Sequence, residues 1–182
     1  ELRMNASRAH CVVVSKTPYE YMNDSCEARE RRELYKRYIS RYSKAPVIFS
    51  TYKYSQCING INGDYITIDE LKDYNVLLIT GIATPSPLLE YLDSRGICYR
   101  HISFADHHTF SSSECEKIKN DFLNLPSGKN IILTTEKDIV RLYGTGLEKL
   151  PLYSLSITVE MNDEDRRTML SVIEKHTGLK TE

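Results

Sequence analysis

The chain has no tryptophan, no Cys-x-x-Cys pair and no apolar run approaching the ~20 residues that a membrane-spanning helix requires. It also lacks a phosphate loop of the Gly-x-x-x-x-Gly-Lys-Ser/Thr kind. Ser127-Gly128-Lys129-Asn130 matches only the tail of one: the upstream glycine is missing, no Ser or Thr follows the lysine, and a strand follows where a helix should. Gly-x-Gly-x-x-Gly, Gly-x-Ser-x-Gly and a catalytic cysteine context are absent too. Nothing here would hold a nucleoside triphosphate by itself. Lys and Arg number 24 against 25 Asp and Glu, a formal net charge of -1, so no basic surplus points to nucleic acid. No signal-peptide pattern is visible. The five cysteines are odd in number and scattered, which reads as reduced thiols in a cytoplasmic protein.

What is present suits one globular domain of 182 residues, 41% apolar and 27% charged. The chain starts Glu1-Leu2-Arg3 without a methionine, which reads as a piece cut from a longer protein. Cys11-Val12-Val13-Val14 is a β-branched run expected to be a buried strand, ending in the turn Ser15-Lys16-Thr17-Pro18. From Ser25 to Ser43, Leu34, Tyr35, Tyr38, Ile39 and Tyr42 recur at helical spacing, with Arg29-Glu30-Arg31-Arg32 on the wet side. Pro46 to Tyr54 is a second strand. Two Asn-Gly steps, Asn59-Gly60 and Asn62-Gly63, mark a small hairpin near residues 55–68.

The pattern then becomes regular. Asn75–Thr80, Ile97–Phe104, Asn130–Leu133 and Leu152–Val159 read as strands. Helices fall between them: Ser86–Arg95 with Leu88, Leu89 and Leu92 inward and Gly96 as its stop, Thr109–Leu123 with a capping serine and Glu114 at its start, and a short one through Ile139–Tyr143. Asn162 or Asp163 caps a last helix. This alternation predicts an α/β fold: a mainly parallel, Rossmann-like sheet flanked by helices on both faces.

In such sheets ligands bind at the carboxyl ends of the strands. Four polar turns are expected on that edge: Ser15-Lys16-Thr17, Gly81-Ile82-Ala83-Thr84-Pro85, Asp106-His107-His108 and Thr134-Thr135-Glu136-Lys137-Asp138. Asp106-His107-His108 has three readings. It could ligate a metal, although adjacent residues diverge and no second ligand cluster is evident. One histidine could orient an acid or take a proton near neutral pH. Or Asp106 is a cap beside two half-exposed histidines. In the fourth turn, hydroxyls and free N–H groups could hold phosphate. The plainer account makes Thr134 or Thr135 an N-cap, with Glu136 and Asp138 favourably placed in the first turn.

Taken in order, Leu2-Arg3, Arg8-Ala9, Val12-Val13-Val14-Ser15-Lys16, Phe49-Ser50, Tyr52 and Tyr54, Gly81-Ile82-Ala83-Thr84-Pro85, Phe104-Ala105-Asp106-His107-His108 and Thr134-Thr135-Glu136-Lys137-Asp138-Ile139-Val140-Arg141-Leu142 resemble the carboxyl-terminal half of tetraacyldisaccharide 4'-kinase, the lipid A 4'-kinase of Gram-negative bacteria. The resemblance spans nearly the whole chain and thins before Phe49 and after Leu142. Its Tyr-rich form is similar to the Bacteroidetes branch.

The resemblance implies a two-domain enzyme. It transfers the γ-phosphate of ATP, with Mg2+, to the 4'-hydroxyl of a tetraacylated glucosamine disaccharide at the cytoplasmic side of the inner membrane. In that family the first half is a P-loop domain with the catalytic aspartate and the membrane-contacting helix, and the second half closes over the nucleotide. This chain would then be a single carboxyl-terminal domain with residues 1–10 as linker. Its partners would be its own P-loop domain and the lipid A precursor, and alone it would bind no ATP or Mg2+ and be inactive. The family histidine that pairs with the catalytic aspartate maps onto His107. Arg3, Thr84, Asp106, His108 and Thr134 would lie near substrate or nucleotide, with no metal site. Met4 stands where the family has Glu, and Thr84 where it has Asn. Two other functions stay open from the residues alone: a non-catalytic nucleotide- or partner-binding module, and a metal-dependent phosphoesterase on Asp106-His107-His108.

Overall fold

The computed structural model describes residues 3–178, with side chains from Asn5 onward. In chain order the elements are β1 (Val12–Val14), α1 (Cys26–Ile39), β2 (Val47–Phe49), β3 (Thr51–Gly60), β4 (Tyr65–Thr67), β5 (Tyr74–Thr80), α2 (Ser86–Ser94), β6 (Tyr99–Ser103), α3 (Ser112–Leu123), β7 (Lys129–Thr135), α4 (Glu136–Leu142), β8 (Leu152–Glu160) and α5 (Asp163–Thr177). They fall into two compact units: Tyr54–Ile157, and Glu1–Lys53 with Thr158–Glu182.

Six strands form one sheet in the order β4-β3-β8-β7-β5-β6. The run β8-β7-β5-β6 is parallel, and β3 and β4 pair antiparallel at the other edge. Each parallel crossover carries a helix, and the pleat sends alternate side chains to opposite faces. Val76 and Leu78 join Ile131 and Leu133 on one face, where Leu88 and Leu92 of α2 cover them. Leu77, Ile79 and Ile132 face the other way, onto Ile118 and Phe122 of α3 and Leu142 of α4. The expected α/β architecture, helices on both faces of a mostly parallel sheet, is what forms. Near-continuous apolar strands were the signal, because a parallel strand is buried on both sides.

The hairpin expected near residues 55–68 is built into the edge of this sheet. β3 extends to Gly60, so the first Asn-Gly step ends the strand, and only the second makes the turn, with Gly63 at φ 87. That value lies in the left-handed region that glycine enters without penalty.

The other unit departs further from the sequence reading. β1 pairs in parallel with β2 alone, as a separate two-stranded sheet. Cys11–Val14 is therefore not the buried strand expected: Val13 is 46% exposed. A two-stranded sheet cannot bury both faces as a six-stranded one does.

Helix α1 starts as its sequence suggests, with Ser25 accepting from the Ala28 N–H. Its buried positions are Ala28 and Arg32, whereas Leu34, Tyr35 and Tyr38 are exposed. Arg32 was expected on the wet side. Its guanidinium instead donates to the carbonyls of Tyr21 and Asn23, the latter at 2.7 Å. Backbone acceptors waiting at the preceding turn outweigh the periodicity of the apolar stripe. At the start of α5, Asn162 caps the helix, and Asp165 accepts from the Phe49 N–H at 3.2 Å. Burial pushes the Asp165 carboxyl up from its ordinary value, against those hydrogen bonds. No helix among the described residues is long and apolar enough to cross a membrane.

Candidate functional site

Because β5, β6 and β7 are adjacent and parallel, the turns that follow them share one edge. Those are three of the four expected turns. The fourth, Ser15-Lys16-Thr17, follows β1, which is not a strand of this sheet, and so leaves the set. There the Thr17 N–H and hydroxyl are taken up locally by the carbonyls of Ser50 and Val14.

The turns after β5 and β7 are tied together by Asp138, which is fully buried. Thr135 caps α4 by accepting from the Asp138 N–H, and its hydroxyl donates to Asp138 Oδ2 at 2.8 Å. The same oxygen accepts from the Gly81 N–H at 2.9 Å. A Cβ at position 81 would stand 3.0 Å from Asp138 Oδ1, so a larger residue there would press on the buried carboxylate. Asp138 Oδ1 takes Nη1 of Arg141 at 3.1 Å. Thr134 is also fully buried, and its hydroxyl donates to the Ile79 carbonyl at 2.8 Å. It belongs to the architecture of the edge and offers nothing at its surface. Thr84 is exposed in the loop before α2.

The turn after β6 splits between its two histidines. His107 has φ 59, an uncommon conformation for a residue with a side chain. Its side chain is 73% exposed. Nδ1 lies 3.1 Å from Arg141 Nη2, and Nε2 lies 3.4 Å from Lys137 Nζ and 3.7 Å from Asp106 Oδ2. Asp106 does not cap α3. Its carboxylate takes Lys137 Nζ at 2.8 Å and the His107 N–H at 3.0 Å. The Lys137 hydrogen bond is the main reason its carboxyl is held below the ordinary value.

His108 points elsewhere. Its ring stacks on Phe104 at 4.9 Å and meets Phe110 edge-on at 5.2 Å, while Nε2 lies 3.0 Å from Glu114 Oε1. Glu114 closes the capping box with Ser111 at the start of α3. Hydrogen bonds from the Ser111 hydroxyl and N–H, then from His108, push the Glu114 carboxyl down to about 2.

The structure thus gathers Asp106 and His107 with two residues that sequence reasoning did not single out as functional, Lys137 and Arg141. It separates them from His108 and Thr134. The Arg3 side chain lies outside the described residues. Sequence held a partial signal for Arg141, since Asp138 and Arg141 are three apart on a short helix and share a face. The partner of Asp138 at Gly81, 57 residues away, had none. Among the described residues no group of three or more His, Cys, Asp or Glu side chains is placed to hold a metal ion.

Comparison with known proteins points to one family. A family model described as tetraacyldisaccharide-1-P 4'-kinase matches residues 1–175. A tetraacyldisaccharide 4'-kinase of Phocaeicola vulgatus is 35% identical over 159 residues, covering 85% of this chain and 42% of that protein. One from Flavobacterium johnsoniae is 36% identical over 167 residues, covering 89% of this chain and 45% of that protein. The chain spans less than half the length of these curated relatives. A crystal structure of the "apo" form of LpxK from Aquifex aeolicus in complex with ATP aligns with TM-score 0.49 and 20% identity, over 91% of this chain and 51% of that one. With the family model running through the turns after β5, β6 and β7, the chain belongs to the tetraacyldisaccharide-1-P 4'-kinase family.

Proposed function

We propose that this chain serves as the carboxyl-terminal part of a tetraacyldisaccharide 4'-kinase, which moves the γ-phosphate of ATP onto the 4'-hydroxyl of the lipid A disaccharide precursor. Family membership supports the reaction class. The sequence carries no phosphate loop, and among the described residues no group of three or more His, Cys, Asp or Glu side chains is placed to hold a metal ion. Nucleotide and Mg2+ would be held by a P-loop domain outside these residues, which would also make the contact with the cytoplasmic face of the inner membrane.

One observation carries the role of this chain. His107 is an exposed imidazole in a left-handed backbone, held at the carboxyl edge of a parallel sheet by groups from α4. Phosphoryl transfer depends mostly on positioning and electrostatics. An imidazole presented at that edge can pair with the catalytic aspartate of the P-loop domain and orient it. Asp106 would act beside it by holding Lys137, and Thr84 and Arg3 would lie near the substrates. No comparable observation favours the phosphoesterase or the binding module.

The isolated 182-residue chain, given ATP, Mg2+ and the disaccharide, is expected to transfer no phosphate. The complete protein is expected to transfer it. A robust rate from the isolated chain would overturn the division of labour proposed here.

A further inference from the structure

The His107 ring is met by two donors. Arg141 Nη2 stands 3.1 Å from Nδ1, and Lys137 Nζ stands 3.4 Å from Nε2. Arginine and protonated lysine donate hydrogen bonds and accept none, while a neutral imidazole has one acceptor nitrogen and one N–H. Both contacts cannot therefore be hydrogen bonds to the ring at once. Lys137 already has a carboxylate partner in Asp106 at 2.8 Å. Arg141 is nearer to the ring and better braced. Its Nη1 is held at 3.1 Å by Asp138, which is fully buried and is itself fixed by the Gly81 N–H and the Thr135 hydroxyl. The guanidinium is a planar fork, so fixing one arm aims the other. The second arm points at Nδ1.

We infer that Arg141, braced by Asp138, is a positioning residue that makes Nδ1 of His107 the acceptor and so leaves its proton on Nε2, facing outward. The charged groups around the ring are Asp106, Lys137 and Arg141. Asp106 Oδ2 is 3.7 Å from Nε2, too far to hold the N–H. Lys137 Nζ, 3.4 Å from Nε2, has no acceptor to offer it, so that N–H takes its acceptor from outside the chain. The inference rests on the proposed function only in naming that acceptor as a carboxylate of the P-loop domain. An ion pair with Asp138 would be complete with one arm of Arg141. The second arm, and the left-handed backbone of His107, together fix the direction in which this ring presents a proton.

The test has two arms. The first uses this chain, labelled with 15N-histidine, in NMR spectra recorded where His107 is neutral. The wild type is expected to show the Nε2–H tautomer almost alone. In Arg141→Met, with Lys137 the remaining donor, the Nδ1–H fraction should rise several-fold. Arg141→Lys should restore part of the wild-type tautomer, and Lys137→Met should leave it in place. Tautomer populations equal in wild type and Arg141→Met would overturn the inference, whatever the chain does in catalysis.

The second arm uses the complete kinase. There Arg141→Met should lower kcat by about ten- to a hundredfold at nearly unchanged KM, below the roughly 10²–10⁴-fold that a proton-handling group contributes. Arg141→Lys should recover part of that loss. A shifted tautomer with unchanged kcat would overturn the kinase role of His107 while leaving the assignment of its proton intact.

Discussion

The loop after β6 has two halves that share a residue type and little else. In the Asp106-His107 half, the imidazole is exposed and held by charges from α4. In the half from His108 to Glu114, the imidazole is packed between Phe104 and Phe110 and bonded to the helix cap, with 25% of its side chain exposed. His107 takes a left-handed φ and its ring meets Arg141 and Lys137, while its neighbour meets the aromatic pair. One histidine therefore stabilises the fold and the other is placed at a cost to it. Strain kept at an exposed polar residue is the pattern found where function constrains a site.

That contrast can be broken or sharpened by measurement. The largest effect is expected beneath the exposed half, at Asp138→Ala. It removes a buried acceptor and leaves the Gly81 N–H unpaired, so urea unfolding should show a loss of about 3 kcal/mol. A loss near zero would mean that Asp138 does not brace this edge. Next, His108→Ala gives up two ring contacts and a hydrogen bond to Glu114. It should cost about 1–2 kcal/mol in the same assay and leave the proposed phosphoryl transfer by the complete protein near wild type. If turnover collapsed while stability held, the two halves would have been assigned the wrong way round.

A pH series sharpens the packed half. The Glu114 carboxyl is depressed from 4.5 to about 2. A depressed acid contributes stability that is present above its unfolded value and lost as pH falls through its folded value. The stability difference between wild type and Glu114→Gln should therefore be full above 4.5 and fade toward about 2. A difference independent of pH over that window would remove the Ser111 and His108 bonds from the account. His107→Ala should have the smallest effect on stability, within about 1 kcal/mol of wild type, since the ring buries little.

Sequence patterns carried much of the Tyr54–Ile157 unit and little of the rest. The apolar runs at Val76–Ile79 and Ile131–Leu133, the caps at Ser111 and Thr135 and the stop at Gly96 are local signals, readable where they stand. β1 looked equally apolar, but a strand's burial depends on which partners it finds, and β1 finds only β2. Arg32 looked solvated because the carbonyls that receive it, at Tyr21 and Asn23, accept from eleven and nine residues away. At the site, the Asp-His-His cluster drew attention to the right turn. It did not reveal that His107 and His108 part company, nor that Asp138 is buried and aims Arg141, because φ and burial are products of the whole fold. Asp106-His107-His108 is thus two devices in sequence, not one centre.

The most direct test of the central claim is a paired measurement on His107→Ala in the complete protein, with kcat for the proposed phosphoryl transfer and unfolding free energy determined on the same preparation. Turnover is expected to fall by roughly 10²–10⁴-fold while stability stays within about 1 kcal/mol of wild type. Wild-type turnover in a folded His107→Ala protein would contradict the claim and leave the exposed imidazole without a part in the reaction.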